Sequence, residues 1–154
     1  MLNTLQNIAR NNSNSLLSTE LEALFEGRQE SLEFLKLYGE HCGLVDDLVD
    51  EPGNPATVEK AARLAFAVNN CAYWHKWKHC LWVVDRVIHN TYFDSVKWES
   101  AEEEWKRRDA KCMSHTAIEM IMAVILIEFG EEVVAKYSLS LREWAYNKHK
   151  DDLI

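Results

Sequence analysis

Three aspartates stand close together just before the clearest break in the sequence, and carboxylates at this spacing could hold a divalent cation. Asp46, Asp47 and Asp50 are followed by Glu51 and a Pro-Gly-Asn-Pro stretch. If they end a helix, carboxylates three and four residues apart repel one another, and their charge opposes the helix macrodipole. Mg²⁺ prefers oxygen ligands and would neutralise that repulsion. The cluster therefore predicts a magnesium site, with a solvent-exposed acidic helix end as the alternative.

The spacing Asp-Asp-x-x-Asp, flanked by Leu44-Val45 and Leu48-Val49, resembles the aspartate-rich motif of trans-isoprenyl diphosphate synthases and class I terpene synthases. The resemblance implies an all-α protein that holds Mg²⁺ through these aspartates and binds a ligand carrying a diphosphate. The chain is shorter than those enzymes and has no second acidic motif at their spacing. Two possibilities are therefore open for this chain. It is a relative that binds the ligand without converting it, or it forms a homodimer that completes the pocket.

A magnesium site of this kind needs further ligands on a facing helix, and residues four apart can present two ligands on one helix face. Three pairs qualify: Asp85 with His89, Asn90 with Asp94, and His115 with Glu119. Because His115 and Glu119 interrupt an apolar stripe, we also expect them to hydrogen-bond to each other in the core. Arg108 lies on the same stripe and is the candidate ligand for an anion. For each pair, a purely structural role is the alternative.

A second cluster joins aromatic and basic side chains, since residues 73–82 read YWHKWKHCLW. Such a stretch could stack on single-stranded nucleic acid. The net charge of −8, however, opposes binding to nucleic acid or to an anionic membrane. Trp and Tyr are favoured anchors of protein interfaces. The alternative function is therefore a non-enzymatic acidic interaction protein that docks through a Trp-rich surface, similar in overall look to small phage and mobile-element proteins.

Sequence patterns of covalent catalysis or nucleotide binding are missing. The chain has no G-x-S-x-G, P-loop, Rossmann fingerprint or H-E-x-x-H. Its four cysteines lack C-x-x-C spacing, which predicts free thiols in the cytoplasm. The longest apolar run, residues 120–127, is too short to span a bilayer, so we expect no membrane segment. The sequence leaves open whether the protein is an enzyme.

Helices must position all these residues, because hydrophobic residues recur at spacings of three and four and no strand alternation is visible. With five Gly and two Pro, few interruptions are expected. We predict an all-α, single-domain bundle of five to seven helices over residues 18–154, preceded by a loose arm at residues 1–17.

Local signals predict where these helices begin and end. Asn54 followed by Pro55 should start one helix, and Gly130 should end another. Capping boxes of the form Ser/Thr-x-x-Glu predict three further starts, at Thr19, Ser100 and Ser140. We also expect a bend near residues 75–78 and an unbroken helix from the box at Ser100 to Phe129.

Overall fold

The computed structural model describes residues 15–147, which form helices joined by short turns and contain no strand. These residues fold into seven helices: α1 (Ser15–Leu24), α2 (Gln29–Asp50), α3 (Pro55–Asn70), α4 (Ala72–Glu99), α5 (Glu104–Met113), α6 (Ile118–Phe129) and α7 (Glu131–Asn147). The all-α prediction is confirmed. Most of the predicted N-terminal arm lies outside the described residues, and residues 15–17 already belong to α1.

The chain divides into two compact units, one ending at Lys78 and the other beginning at His79. The division falls within α4, so the first turns of this helix belong to the first unit and the rest to the second. The single domain expected over residues 18–154 stays a prediction.

The core of the first unit is built on aromatic rings. Phe34 and Tyr38 of α2 are almost completely buried. The ring of Phe34 lies 5.5 Å from that of Tyr73 and 6.1 Å from that of Trp74, both in the first turn of α4. The third helix packs on α2 and buries only Ala61 and Val68, so its contact face is narrow. These contacts fix the helix whose last turns carry the three aspartates.

Aliphatic side chains form the core of the second unit. Met120, Val124 and Ile125 of α6 are completely buried, and α6 packs against α7, where Leu141 is completely buried as well. Leu81 on α4 belongs to the same unit and is equally inaccessible.

Two of the predicted helix ends are confirmed. The Asn54 side chain accepts hydrogen bonds from the backbone N–H groups of Ala56 (3.1 Å) and Thr57 (3.4 Å), with Pro55 as the first residue of α3. Gly130 ends α6 with φ 87°, a conformation in which a Cβ is disfavoured.

The three predicted capping boxes are wrong. Thr19 and Ser140 lie inside α1 and α7. The residue that precedes α5 is Glu103, and its side chain makes no capping hydrogen bond. A hydroxyl residue followed three positions later by Glu also occurs inside helices, because Glu favours the helix and the polar pair falls on one exposed face.

The predicted bend and the predicted unbroken helix are wrong as well. The fourth helix is continuous through residues 75–78, and the chain is extended one position before it, at Cys71 (ψ 149°). Residues 114–117 form turns that separate α5 from α6. In those turns the Thr116 hydroxyl donates to the backbone carbonyl of Ile88 at 3.3 Å. This tertiary hydrogen bond, invisible in the local pattern, holds the turn on α4.

Candidate functional site

The three aspartates lie on the last turns of α2, and all three are exposed. The helix ends through a hydrogen bond from the Glu51 N–H to the Asp47 carbonyl, at 2.9 Å. No basic residue stands in its last turn. The charge of these carboxylates therefore opposes the helix dipole, as the sequence indicates.

A complete metal site is not assembled in the part of the chain that the structure describes. Between residues 15 and 147, no group of three or more His, Cys, Asp or Glu side chains is arranged to hold a metal ion. The aspartates belong to the first unit, and the second unit contains all the residues predicted to face them, namely Asp85, His89, Asp94, His115 and Glu119. The magnesium site stays a prediction.

Of the predicted pairs, Asp85 and His89 do meet. Asp85 is buried, and its Oδ2 accepts from the Arg86 guanidinium at 2.6 Å and 3.1 Å. The Nδ1 atom of His89 lies 3.1 Å from Asp85 Oδ1 and 2.8 Å from the Asp85 carbonyl oxygen. The hydrogen bond to the Asp85 carboxylate raises the pKa of His89, and partial burial opposes that rise. The two side chains thus form a compact charged cluster on one helix.

Asp94 and Arg108, two further predicted site residues, lie on the surface. The Asp94 carboxylate pairs with Lys97 at 2.9 Å. The nearest acidic partner of Arg108 is its neighbour Asp109, at 3.7 Å. Both pairs are exposed, where an ion pair contributes little to stability.

The predicted core hydrogen bond between His115 and Glu119 is wrong. His115 stands in the turns between α5 and α6, so the two residues do not share a helix face. Glu119 instead pairs with Arg142 of α7, whose Nη1 lies 2.7 Å from Glu119 Oε1. The hydrogen bond that Arg142 donates to the Glu119 carboxylate raises the pKa of Arg142, and Tyr146 adds to the effect. This ion pair joins α6 to α7.

His115 and Glu119 do share a cleft in the second unit. The cleft has a volume of 580 Å³ and is almost entirely apolar. One wall is the stripe of Val83, Val87 and Thr91 on α4, and the opposite wall includes Met122 and Leu126 on α6. Most of the lining belongs to α4 and α6, and residues of α5 and α7 complete it, namely Cys112, Met113, Val134 and Tyr146.

Several apolar residues of the cleft remain open to solvent. Val83 is 54% exposed, Val87 58% and Leu126 49%. Other lining side chains, such as Ile88 and Ile118, are buried and form the floor. Large apolar side chains left half exposed on facing walls are typical of a surface that another molecule covers.

Sequence reasoning missed this groove and the Arg142 side chain beside it. The spacing of Val83 and Val87 indicates an apolar helix face, and such a face is typically buried in the core. Whether such a face is buried depends on how far the next helix lies from it, and local pattern does not contain that distance. The Glu119–Arg142 pair joins residues on different helices, so no i,i+4 rule could find it.

The tryptophans are spread between core and surface. Trp74 and Trp144 are buried, Trp77 and Trp98 are partly buried, and Trp82 and Trp105 are exposed. None of them lines the cleft. The apolar cleft is therefore a different surface from the one expected from the Trp-rich stretch.

One stretch, Glu104–Phe129, is long and apolar enough to cross a membrane by length and composition alone. About a third of its most apolar window is buried, and the turns at residues 114–117 interrupt it. Core helices of soluble proteins meet the same criterion, so this stretch gives weak support for a membrane location.

Comparison with known proteins adds no relative to this description. No family model matches the chain, and no curated protein and no solved structure matches it.

Proposed function

We propose that this protein is an interaction module, whose second unit binds the apolar face of a partner's amphipathic helix in the cleft between α4 and α6. The half-exposed Val83, Val87 and Leu126 on the two walls carry the proposal. It keeps the interaction function considered from the sequence and moves the docking surface from the tryptophans to the cleft.

The dimensions of the groove suit a helix. Its α4 wall extends from Val83 to Thr91, roughly 12 Å at 1.5 Å per residue. The lining residues of α6, floor and wall together, extend from Ile118 to Leu126, the same number of residues. Two to three turns of a partner helix would cover both walls, which is the helix-in-groove mode of recognition.

A small apolar ligand fits the structure less well. The volume of 580 Å³ lies in the range of small-molecule sites. Such sites bury most of their ligand, however, and here the lining residues at the mouth are about half exposed. A partner that approaches from outside would bury these side chains, and each buried aliphatic side chain contributes about 1.5–3 kcal/mol before the costs of association.

A diphosphate ligand in this cleft is disfavoured by charge. Among the lining residues, Glu119 is the only Asp, Glu, Lys or Arg. A carboxylate repels phosphate groups unless a cation lies between them. The magnesium hypothesis therefore concerns the aspartates of α2 and is independent of the cleft.

Titration calorimetry of the full chain with a synthetic amphipathic helical peptide tests the proposal. The peptide carries leucine at i, i+3, i+4 and i+7 and has about five turns, roughly 27 Å. We expect saturable binding to the wild type. Val87→Gln and Leu126→Gln should each weaken it about tenfold or more, because central apolar contacts dominate such interfaces.

Leu139→Gln is the matched control. Leu139 is a leucine of α7 that is 65% exposed and lies outside the cleft. This variant should bind the peptide like the wild type. Absence of binding, or equal losses in all three variants, would contradict the proposed function.

A further inference from the structure

Glu119 occupies a special position in the cleft. It is the only Asp, Glu, Lys or Arg among the lining residues. Its side chain is 37% exposed, so a molecule bound in the cleft can contact it without a change in the position of α6.

The hydrogen-bonding capacity of this carboxylate is only partly used. Oε1 accepts from Arg142 Nη1 at 2.7 Å, and among the side chains that the structure describes, residues 20–146, no other ion pair or hydrogen bond of Glu119 is found. An ionised carboxylate has two oxygens and about four acceptor positions. Glu119 can therefore accept a further donor while Arg142 stays in place.

Charge complementarity indicates which donor that would be. The chain carries 25 Asp and Glu against 17 Lys and Arg, so its long-range field attracts cations. In the cleft, Glu119 is the only Asp, Glu, Lys or Arg of the lining, and its partner Arg142 lies outside the lining. The apolar walls beside Glu119 lower the effective dielectric constant, which strengthens a hydrogen bond from a cationic donor. An acidic side chain on the partner would be repelled by the long-range field and would bring no donor to Glu119.

We infer that the partner helix is basic, and that a Lys or Arg one turn away from its apolar stripe pairs with Glu119. This inference rests on the proposed function, because it specifies which amphipathic helix the cleft selects. Val83, Val87 and Leu126 supply the apolar contact. Glu119 favours a partner helix that carries a cationic side chain beside its apolar stripe.

Three peptides that differ in one residue type test the inference. Each is the leucine-stripe peptide described above, with Lys, Gln or Glu placed one turn from each end of the stripe, so that either orientation meets Glu119. The wild type should bind them in the order Lys, Gln, Glu, with about three- to tenfold between neighbours, the usual range for one partly exposed charge-assisted hydrogen bond. Raising the salt concentration should narrow the differences.

Variants of the protein identify the residue responsible. Glu119→Gln should remove most of the preference for Lys, and Glu119→Lys should reverse the order. Glu143→Gln is the matched control, since Glu143 is an exposed carboxylate on α7 outside the lining, and the wild-type order should persist. Thermal unfolding of each variant verifies that it is folded.

The possible failures are distinguishable. Binding of all three peptides with equal affinity would overturn the inference and leave the proposed function standing. A preference for Lys that survives in Glu119→Gln would also overturn it. The overall negative charge of the protein would then explain the preference without Glu119. If no peptide binds, the cleft does not accept a helix, and both proposals are wrong.

Discussion

Asp85 shows how a single buried charge can be stabilised by its own helix. It is the only Asp, Glu, Lys or Arg side chain classed as buried between residues 20 and 146. Arg86 and His89, both on α4, hold its two oxygens. A buried carboxylate without such partners would be strongly destabilising. Arg86 and His89 therefore compensate the cost of burying the Asp85 carboxylate.

His89 should make stability depend on pH. The hydrogen bond to Asp85 raises the pKa of His89 above the ordinary 6.5, so the folded protein binds this proton more tightly than the unfolded chain. The stabilising contribution is complete below pH 6.5 and is lost as the pH rises through the raised pKa of the folded state. Urea unfolding at a series of pH values, together with an NMR titration of the His89 ring, measures both quantities.

Two variants separate His89 from other titrating groups. His89→Gln should flatten the pH dependence in that window, whereas His75→Gln, at an exposed histidine of the same helix, should leave it unchanged. An NMR pKa of His89 at or below 6.5 would refute the assignment.

The aspartates at the end of α2 make a second prediction at this scale. In buffer without metal ions, Asp47→Asn with Asp50→Asn should stabilise the protein by about 0.3–1 kcal/mol for each charge removed, because both charges oppose the helix dipole. If Mg²⁺ binds there, it should raise the melting temperature of the wild type and have no effect on the double variant.

Glu33→Gln is the control for the aspartates. Glu33 is also exposed on α2, but it lies near the N-terminal end, where negative charge is favourable. Its removal should therefore not stabilise the protein. A wild type that shows no response to Mg²⁺ would leave these residues as an acidic helix end.

At the scale of helices, burial is concentrated where α6 meets α7. The sixth helix buries residues around most of its circumference, whereas α7 buries only one face. Gly130 alone joins the two helices, so α7 folds back on α6 without an intervening loop. The packing of α7 therefore holds one side of the second unit.

Truncation of α7 side chains should reveal this asymmetry. Leu141→Ala removes a completely buried side chain and should cost about 2–5 kcal/mol of the free energy of unfolding. Leu139→Ala changes the same residue type at a 65% exposed position, so its effect should stay within about 0.5 kcal/mol. Denaturant unfolding compares the two. Equal effects would show that α7 is not packed as described.

For the whole molecule, the sequence was sufficient to predict the fold class and insufficient to predict the apolar cleft. Helical periodicity, the Asn54 cap and the Gly130 stop are local properties, and each is confirmed. The same reasoning failed where contacts between residues far apart in the sequence determine the structure. The turn held by Thr116 and the Glu119–Arg142 pair are the two examples. The cleft depends on the spacing between two helices, which residue patterns do not encode.

The position of Cys112 gives the cleft a chemical reporter of its own. Its thiol lines the groove, and burial, followed by the nearby Asp109 charge, raises its pKa, so little reactive thiolate exists at neutral pH. Cys80, in contrast, is exposed and lies outside the lining. The ratio of alkylation at these two cysteines, read by mass spectrometry on the unmodified protein, therefore reports occupancy of the cleft without any introduced label.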